Sequence, residues 1–171
     1  MLSWLYLRAP FQASFVIIAL VMVVSVSALA SARPTADPES AVAEAAERDR
    51  VQTVIDDLKT RLDLDLDVFV SLVPENPVMV SVARDGERDG FAMSFDRSFL
   101  AALTDDELEA VVAHELGHVW IFTHHPYLQT EGLANQIAMR VVSRDSLEAV
   151  YEKVWARGGR KGHVARFVAT R

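Results

Sequence analysis

His114, Glu115 and His118 have the residue types and the spacing for metal-assisted chemistry. Two histidines four apart on a helix share one face, one turn above each other, so both imidazoles can reach a single ion. Zinc accepts neutral imidazole nitrogen and takes a third protein ligand, leaving the fourth position to water. Glu115 lies beside the first histidine, where it can take that water's proton without binding the metal. The competing reading is a hydrogen-bonded core histidine pair with Glu115 as its partner, which needs no metal.

The surrounding residues position these three. The segment from Thr104 to Thr123 predicts one helix, opened by a Thr104-x-x-Glu107 capping box with acids in its first turn. It is apolar on nearly every side, through Leu108, Val111, Val112, Ala113, Leu116, Val119, Trp120, Ile121 and Phe122. Such a helix is a buried one. Histidines and a carboxylate on it must therefore be paired, hydrogen-bonded or bound to metal. His124-His125-Pro126 ends this helix, because the residue before a proline is pushed out of helical geometry. A further helix is expected to about Val142. On it Glu131 and Asn135 are four apart and share a face, which suits a third metal ligand and a side chain that orients a ligating histidine.

Ahead of the motif the pattern changes period. Asp37-Pro38 offers a helix start, and Val51, Val54, Ile55, Leu58 and Leu62 keep helical spacing to about Arg61. The acids of this helix read as a solvated face. Leu64 to Val73 alternates toward a strand, Val78 to Ala83 toward a second and Gly90 to Phe95 toward a third. Short connections predict an antiparallel sheet. Asp145 to Glu148 opens a last helix, whose stripe of Leu147, Val150, Tyr151, Val154 and Trp155 reads as core packing. The fold class is α+β: a short antiparallel sheet packed on the histidine-bearing helix, with flanking helices.

Composition narrows the function classes. The 171 residues contain no cysteine, which excludes disulfides, thiolate metal sites and thiol catalysis. A net charge of −7 argues against a general nucleic-acid partner. From Ala9 to Ala32 there is no charge, and Ala28-Leu29-Ala30 is a small-x-small site of the kind signal peptidase cuts. Residues 1–30 are thus expected to be a secretory signal. The alternative is an uncleaved anchor attaching the chain to a membrane through residues 11–30, since Phe11 to Ala30 is long enough to span a bilayer. Either way the rest lies outside the cytoplasmic membrane, periplasmic or extracellular if cleavage occurs near Ala30. A linker at 31–36, a functional domain at 37–157 and a basic C-terminal tail at 158–171 complete the division.

Residues 90–143 resemble the gluzincin metallopeptidases, especially the HtpX and CaaX-prenyl-protease-like family. There a helix like Thr104-Asp-Asp-Glu-Leu-Glu-Ala-Val-Val-Ala-His114-Glu-Leu-Gly-His118-Val precedes a helix that begins with the third ligand as Glu-x-x-Ala-Asp. The form Glu131-Gly-Leu-Ala-Asn135 also looks like the ImmA/IrrE-type peptidases. The resemblance implies a small zincin-like domain with one zinc ion, His114, His118 and Glu131 as ligands and Glu115 as catalytic base. Two departures stand out: only 12 residues separate His118 from Glu131, where prenyl-protease relatives carry a long insertion, and Asn135 replaces their usual Asp.

The chemistry implied is hydrolysis of a peptide or protein substrate, with Glu115 moving the proton from water to the leaving amine. Tyr127, His124, His125 and His163 are candidates for an oxyanion donor or substrate contact. The Gly90–Phe95 strand is expected to receive the substrate as an added strand. Two alternatives differ in kind. A non-catalytic, zinc-stabilised interaction module would need the ligands but no base, so the presence of Glu115 argues against it. A metzincin-like site would use His124 as third ligand, six residues after His118. That pattern needs a glycine where this chain has Ile121, and an unbroken helix carries His124 too far along its axis.

Overall fold

The computed structural model describes residues 38–158. The uncharged stretch with its cleavage site, the linker at 31–36, His163 and all but Gly158 of the basic tail lie outside the described residues.

A long helix, α1 (Pro38–Arg61), opens the described chain and buries one narrow stripe, Val51, Ile55 and Leu58. Three strands follow, β1 (Val68–Val73), β2 (Val80–Arg84) and β3 (Phe91–Asp96), then a one-turn helix α2 (Arg97–Leu100). The motif helix α3 (Asp105–His124) leads through a 3-10 turn at Pro126–Leu128 into α4 (Glu131–Ala138), and α5 (Arg144–Gly158) closes the described part. The architecture is α+β.

The sheet is mixed, not antiparallel as the short connections predict. Its order is β1-β3-β2, with β1 parallel to β3 and β2 antiparallel to β3. The reason lies in the two connections. Between β2 and β3 the Asp85 carboxylate accepts from the backbone N–H groups of Glu87 and Arg88, closing a tight hairpin. Between β1 and β2, Asn76 donates to the Ser94 carbonyl and its own N–H donates to Asp96, fastening that segment to the end of β3. The chain therefore passes beyond β3 before turning back, and β3 fills the middle. At Gly90 a Cβ would lie 2.6 Å from the Asp67 carbonyl, so only glycine permits β3 to start this close to β1.

Two further boundaries differ from the sequence pattern. Leu64 and Leu66 do not begin a strand. Asp63, at φ 56°, turns the chain left-handed after α1, and the Leu64 N–H donates back to the Lys59 carbonyl. Leu64 is buried as the closing residue of a helix rather than as an alternating strand position. The helix after the motif also stops at Ala138 instead of near Val142, with Met139 as its C-cap.

Helix α3 is the centre of the core. Leu108, Val112, Ala113, Leu116 and Val119 are shielded from water on it, as its apolar circumference requires. Around it pack Ile55 and Leu58 of α1, Met93 and Phe95 of β3, Ile137 of α4 and Leu147 of α5. At about 0.8 kcal/mol per buried methylene, this packing is what holds α3 in place. Among the described residues no helix is long and apolar enough to cross a membrane.

Candidate metal centre

Helix α3 begins where the capping box predicts. Thr104 Oγ1 accepts from the Glu107 N–H at 3.3 Å, and Glu107 Oε2 accepts from the Thr104 N–H at 2.7 Å. The helix then runs unbroken through both histidines, whose rings lie 4.8 Å apart and nearly perpendicular. Their Nε2 atoms are 3.3 Å apart.

Helix α4 brings the third group. Thr130 caps it by accepting from the Leu133 N–H, which fixes Glu131 as its first residue. Glu131 Oε2 lies 3.2 Å from His114 Nε2, and Oε1 lies 3.6 Å from His118 Nε2. Donor atoms of His114, His118 and Glu131 all fall within 4.8 Å of one another. The two helices can meet this closely because position 117 is glycine: a Cβ there would stand 2.5 Å from the Ala134 carbonyl oxygen.

Each imidazole is held from behind by a carboxamide oxygen. His114 Nδ1 lies 2.8 Å from Asn135 Oδ1, and His118 Nδ1 lies 3.1 Å from Gln129 Oε1. Gln129 Nε2 donates to the His118 carbonyl, which fixes which end of that amide faces the ring. An amide oxygen only accepts, so each Nδ1 carries the proton and each Nε2 turns a lone pair inward. Two inward lone pairs and a carboxylate converge on one point, and this arrangement fits a divalent cation. Without a cation, protons must fill the same role. The His114 and His118 hydrogen bonds hold the Glu131 carboxyl far below the usual carboxylate range. Burial works against charge on His118, yet its bond to Glu131 prevails and raises its pKa.

Glu115 follows His114 on α3 and accepts from the Val82 backbone N–H of β2. Burial pushes its carboxyl above the usual range, opposed by the two histidines and by the Val82 backbone N–H. It is not among the converging donors. A carboxylate of raised basicity beside a metal-binding cluster is suited to accept a proton.

The remaining candidates lie elsewhere. His124 stacks on Trp120 at 4.1 Å, with Nδ1 at 2.9 Å from the Trp120 carbonyl, and takes no part in the cluster. His125 forms the end of α3 and lies against the same indole. Tyr127 is 98% exposed on the 3-10 turn. Sequence reasoning missed Gln129, which sits two residues before Glu131, because a lone glutamine carries no spacing signal. It placed Tyr151 in a packing stripe, whereas the Tyr151 hydroxyl meets the Asn135 carboxamide.

The strand expected to receive substrate is also corrected. β3 is paired on both sides and has no free edge. The outer edge of β1 is capped by Gln52, which accepts from the Val70 N–H and donates to the Val68 carbonyl. β2 is paired to β3 on one side only, and on it the Val82 N–H donates to Glu115 of α3.

Residues 45–170 match the family model described as Peptidase family M48. A solved structure, titled "Crystal structure of the metallopeptidase zymogen of Pyrococcus abyssi abylysin", is similar at 16% identity and a TM-score of 0.48, covering 66% of this chain and 99% of that one. No curated protein matches the chain.

Proposed function

The chain belongs to peptidase family M48 and is a zinc metallopeptidase, and from that premise we propose how its residues hydrolyse a peptide bond. His114 and His118 through Nε2, together with Glu131, hold one zinc ion. The observation that carries this reading is the convergence of those three donors while both Nδ1 atoms face amide oxygens. Zinc bound there supplies Lewis-acid polarisation and makes a water acidic near neutral pH.

Glu115 is the general base in this proposal. It takes the proton of the attacking water and passes it to the departing amine. Asn135 and Gln129 fix the imidazole planes and the Nδ1–H tautomers. Substrate backbone pairs with the outer edge of β2, a mode that reads main chain and tolerates many side-chain sequences. Such pairing lays the scissile carbonyl alongside α3.

The uncharged stretch from Ala9 to Ala32 supports export, with the mature chain starting near Ser31 and acting outside the cytoplasmic membrane. N-terminal sequencing of exported material tests this, and an intact Met1 in the membrane fraction would show the anchored form instead.

The decisive experiment on the chemistry is Glu115→Gln. Hydrolysis of a peptide substrate should fall at least about a hundredfold, with zinc content and folding retained. Unchanged turnover, or loss of zinc along with activity, would remove Glu115 from the role of base.

A further inference from the structure

Tyr151 lies on α5, outside the helix pair that carries the converging donors. Its hydroxyl is 3.0 Å from Asn135 Nδ2 and 3.1 Å from Asn135 Oδ1, so it meets both ends of one carboxamide. That carboxamide is fully buried, and its Oδ1 is the atom facing His114 Nδ1 at 2.8 Å. The Tyr151 ring also stands edge-on to the His114 ring, with centroids 5.9 Å apart. A chain of contacts therefore runs from α5 through Asn135 to the first histidine of the motif.

Helix α5 is anchored well enough to act as a reference for that chain. Leu147 and Val150 sit in the core. Lys153 Nζ donates to Glu107 Oε2 at 2.5 Å and to the Ala102 carbonyl at 2.7 Å, which ties α5 to the start of α3. Arg157 reaches the Ser98 carbonyl at 2.7 Å and Asp96 at 3.7 Å, tying the far end of α5 to the β3–α2 junction. Glu107 and Lys153 form a partly buried charged bond, stronger than an exposed pair. The half of α5 that follows Tyr151 is thus tied to the start of α3 and to the β3–α2 junction.

We propose that Tyr151 is a positioning residue of the metal centre: its hydroxyl sets the plane of the Asn135 carboxamide, and through it the orientation and Nδ1–H tautomer of His114. This rests on the reading of His114 as a zinc ligand. Asn135 is neutral where a carboxylate would attract the imidazole N–H by charge, so its hold on the ring depends more on being correctly placed. A hydroxyl that touches both amide termini provides that placement.

Tyr151→Phe removes the hydroxyl and keeps the ring, its packing and its contact with His114. The tests are zinc affinity by chelator competition and the visible spectrum of the Co²⁺-substituted protein, for wild type, Tyr151→Phe, Asn135→Ala and the double variant. Tyr151→Phe should bind zinc about tenfold more weakly, at the low end for residues that support a ligand, and should shift the Co²⁺ bands. In the Asn135→Ala background the same substitution should have no further effect, because the contact it acts through is gone. Additive losses, or zinc binding by Tyr151→Phe equal to wild type with unchanged Co²⁺ bands, would overturn the proposal and leave the zinc site standing. A wild-type protein that binds no zinc would overturn the site itself, and Tyr151's role with it. The metal-free folds of wild type and variants are compared by circular dichroism, which separates loss of fold from loss of zinc.

Discussion

Gly117→Ala tests how closely the two ligand-bearing helices must approach. The added methyl would stand 2.5 Å from the Ala134 carbonyl oxygen, 3.0 Å from its Cα and 3.1 Å from its carbonyl carbon. All three are backbone atoms, so no side chain can swing aside. Ordinary contact begins near 3.4 Å, and α4 must therefore recede by about 0.9 Å at this point. Helix α4 carries both Glu131, which faces the two histidines, and Asn135, which holds His114. Metal–ligand distances tolerate deviations of only about 0.2 Å, so a shift of this size opens the donor set. The fold should suffer much less. Overpacking costs about 1–3 kcal/mol, and alanine recovers about 1 kcal/mol of helix propensity over glycine. Gly117→Ala should therefore unfold within about 2 kcal/mol of wild type when metal-free, yet lose about 10–100-fold in zinc affinity. Chelator competition and denaturant unfolding of the metal-free protein measure the two effects. Zinc affinity within about twofold of wild type would refute the close-approach argument.

Other outcomes follow from the same geometry. Glu131→Ala should lower zinc affinity by orders of magnitude and His124→Ala should leave it nearly intact; the reverse ranking in a zinc titration would make the site metzincin-like. Asp96 and Glu107 should make the fold acid-sensitive. Ser98 and the Phe99 N–H hold Asp96 below 3.8, while burial opposes charge on Glu107 but its bonds to Lys153 and Thr104 prevail and hold it below 4.5. Folded pKa values below the unfolded ones give stability that is present above 4.5 and lost as pH falls through the folded values. Melting temperature should therefore drop on acidification below about pH 4.5 and the drop should shrink in Glu107→Gln, a variant already weakened near neutral pH; equal acid sensitivity in that variant would refute the assignment.

The local elements of this chain are written in neighbouring residues. Thr104 and Glu107 specify the start of α3, and the apolar circumference from Leu108 to Ile121 specifies its burial, because capping and helical spacing act within a few residues. The four-residue interval between His114 and His118 likewise places two imidazoles on one face with no help from the rest of the fold. What the sequence could not determine depends on groups far apart in the chain. Nothing near β1 or β3 says that they pair in parallel, since that depends on how Asn76 fastens the intervening segment to Ser94 and Asp96. Leu64 alternates like a strand residue, but Asp63 makes it the closing turn of a helix. Gln129 and Tyr151 have no sequence signal toward the metal centre, because their roles arise only when the 3-10 turn folds back on α3 and α5 packs on α3 near enough for Tyr151 to reach Asn135. The sequence determined the residues able to bind a cation. Tertiary structure decided which third group reaches them, because Gly117 lets α4 approach α3 while the unbroken helix carries His124 away.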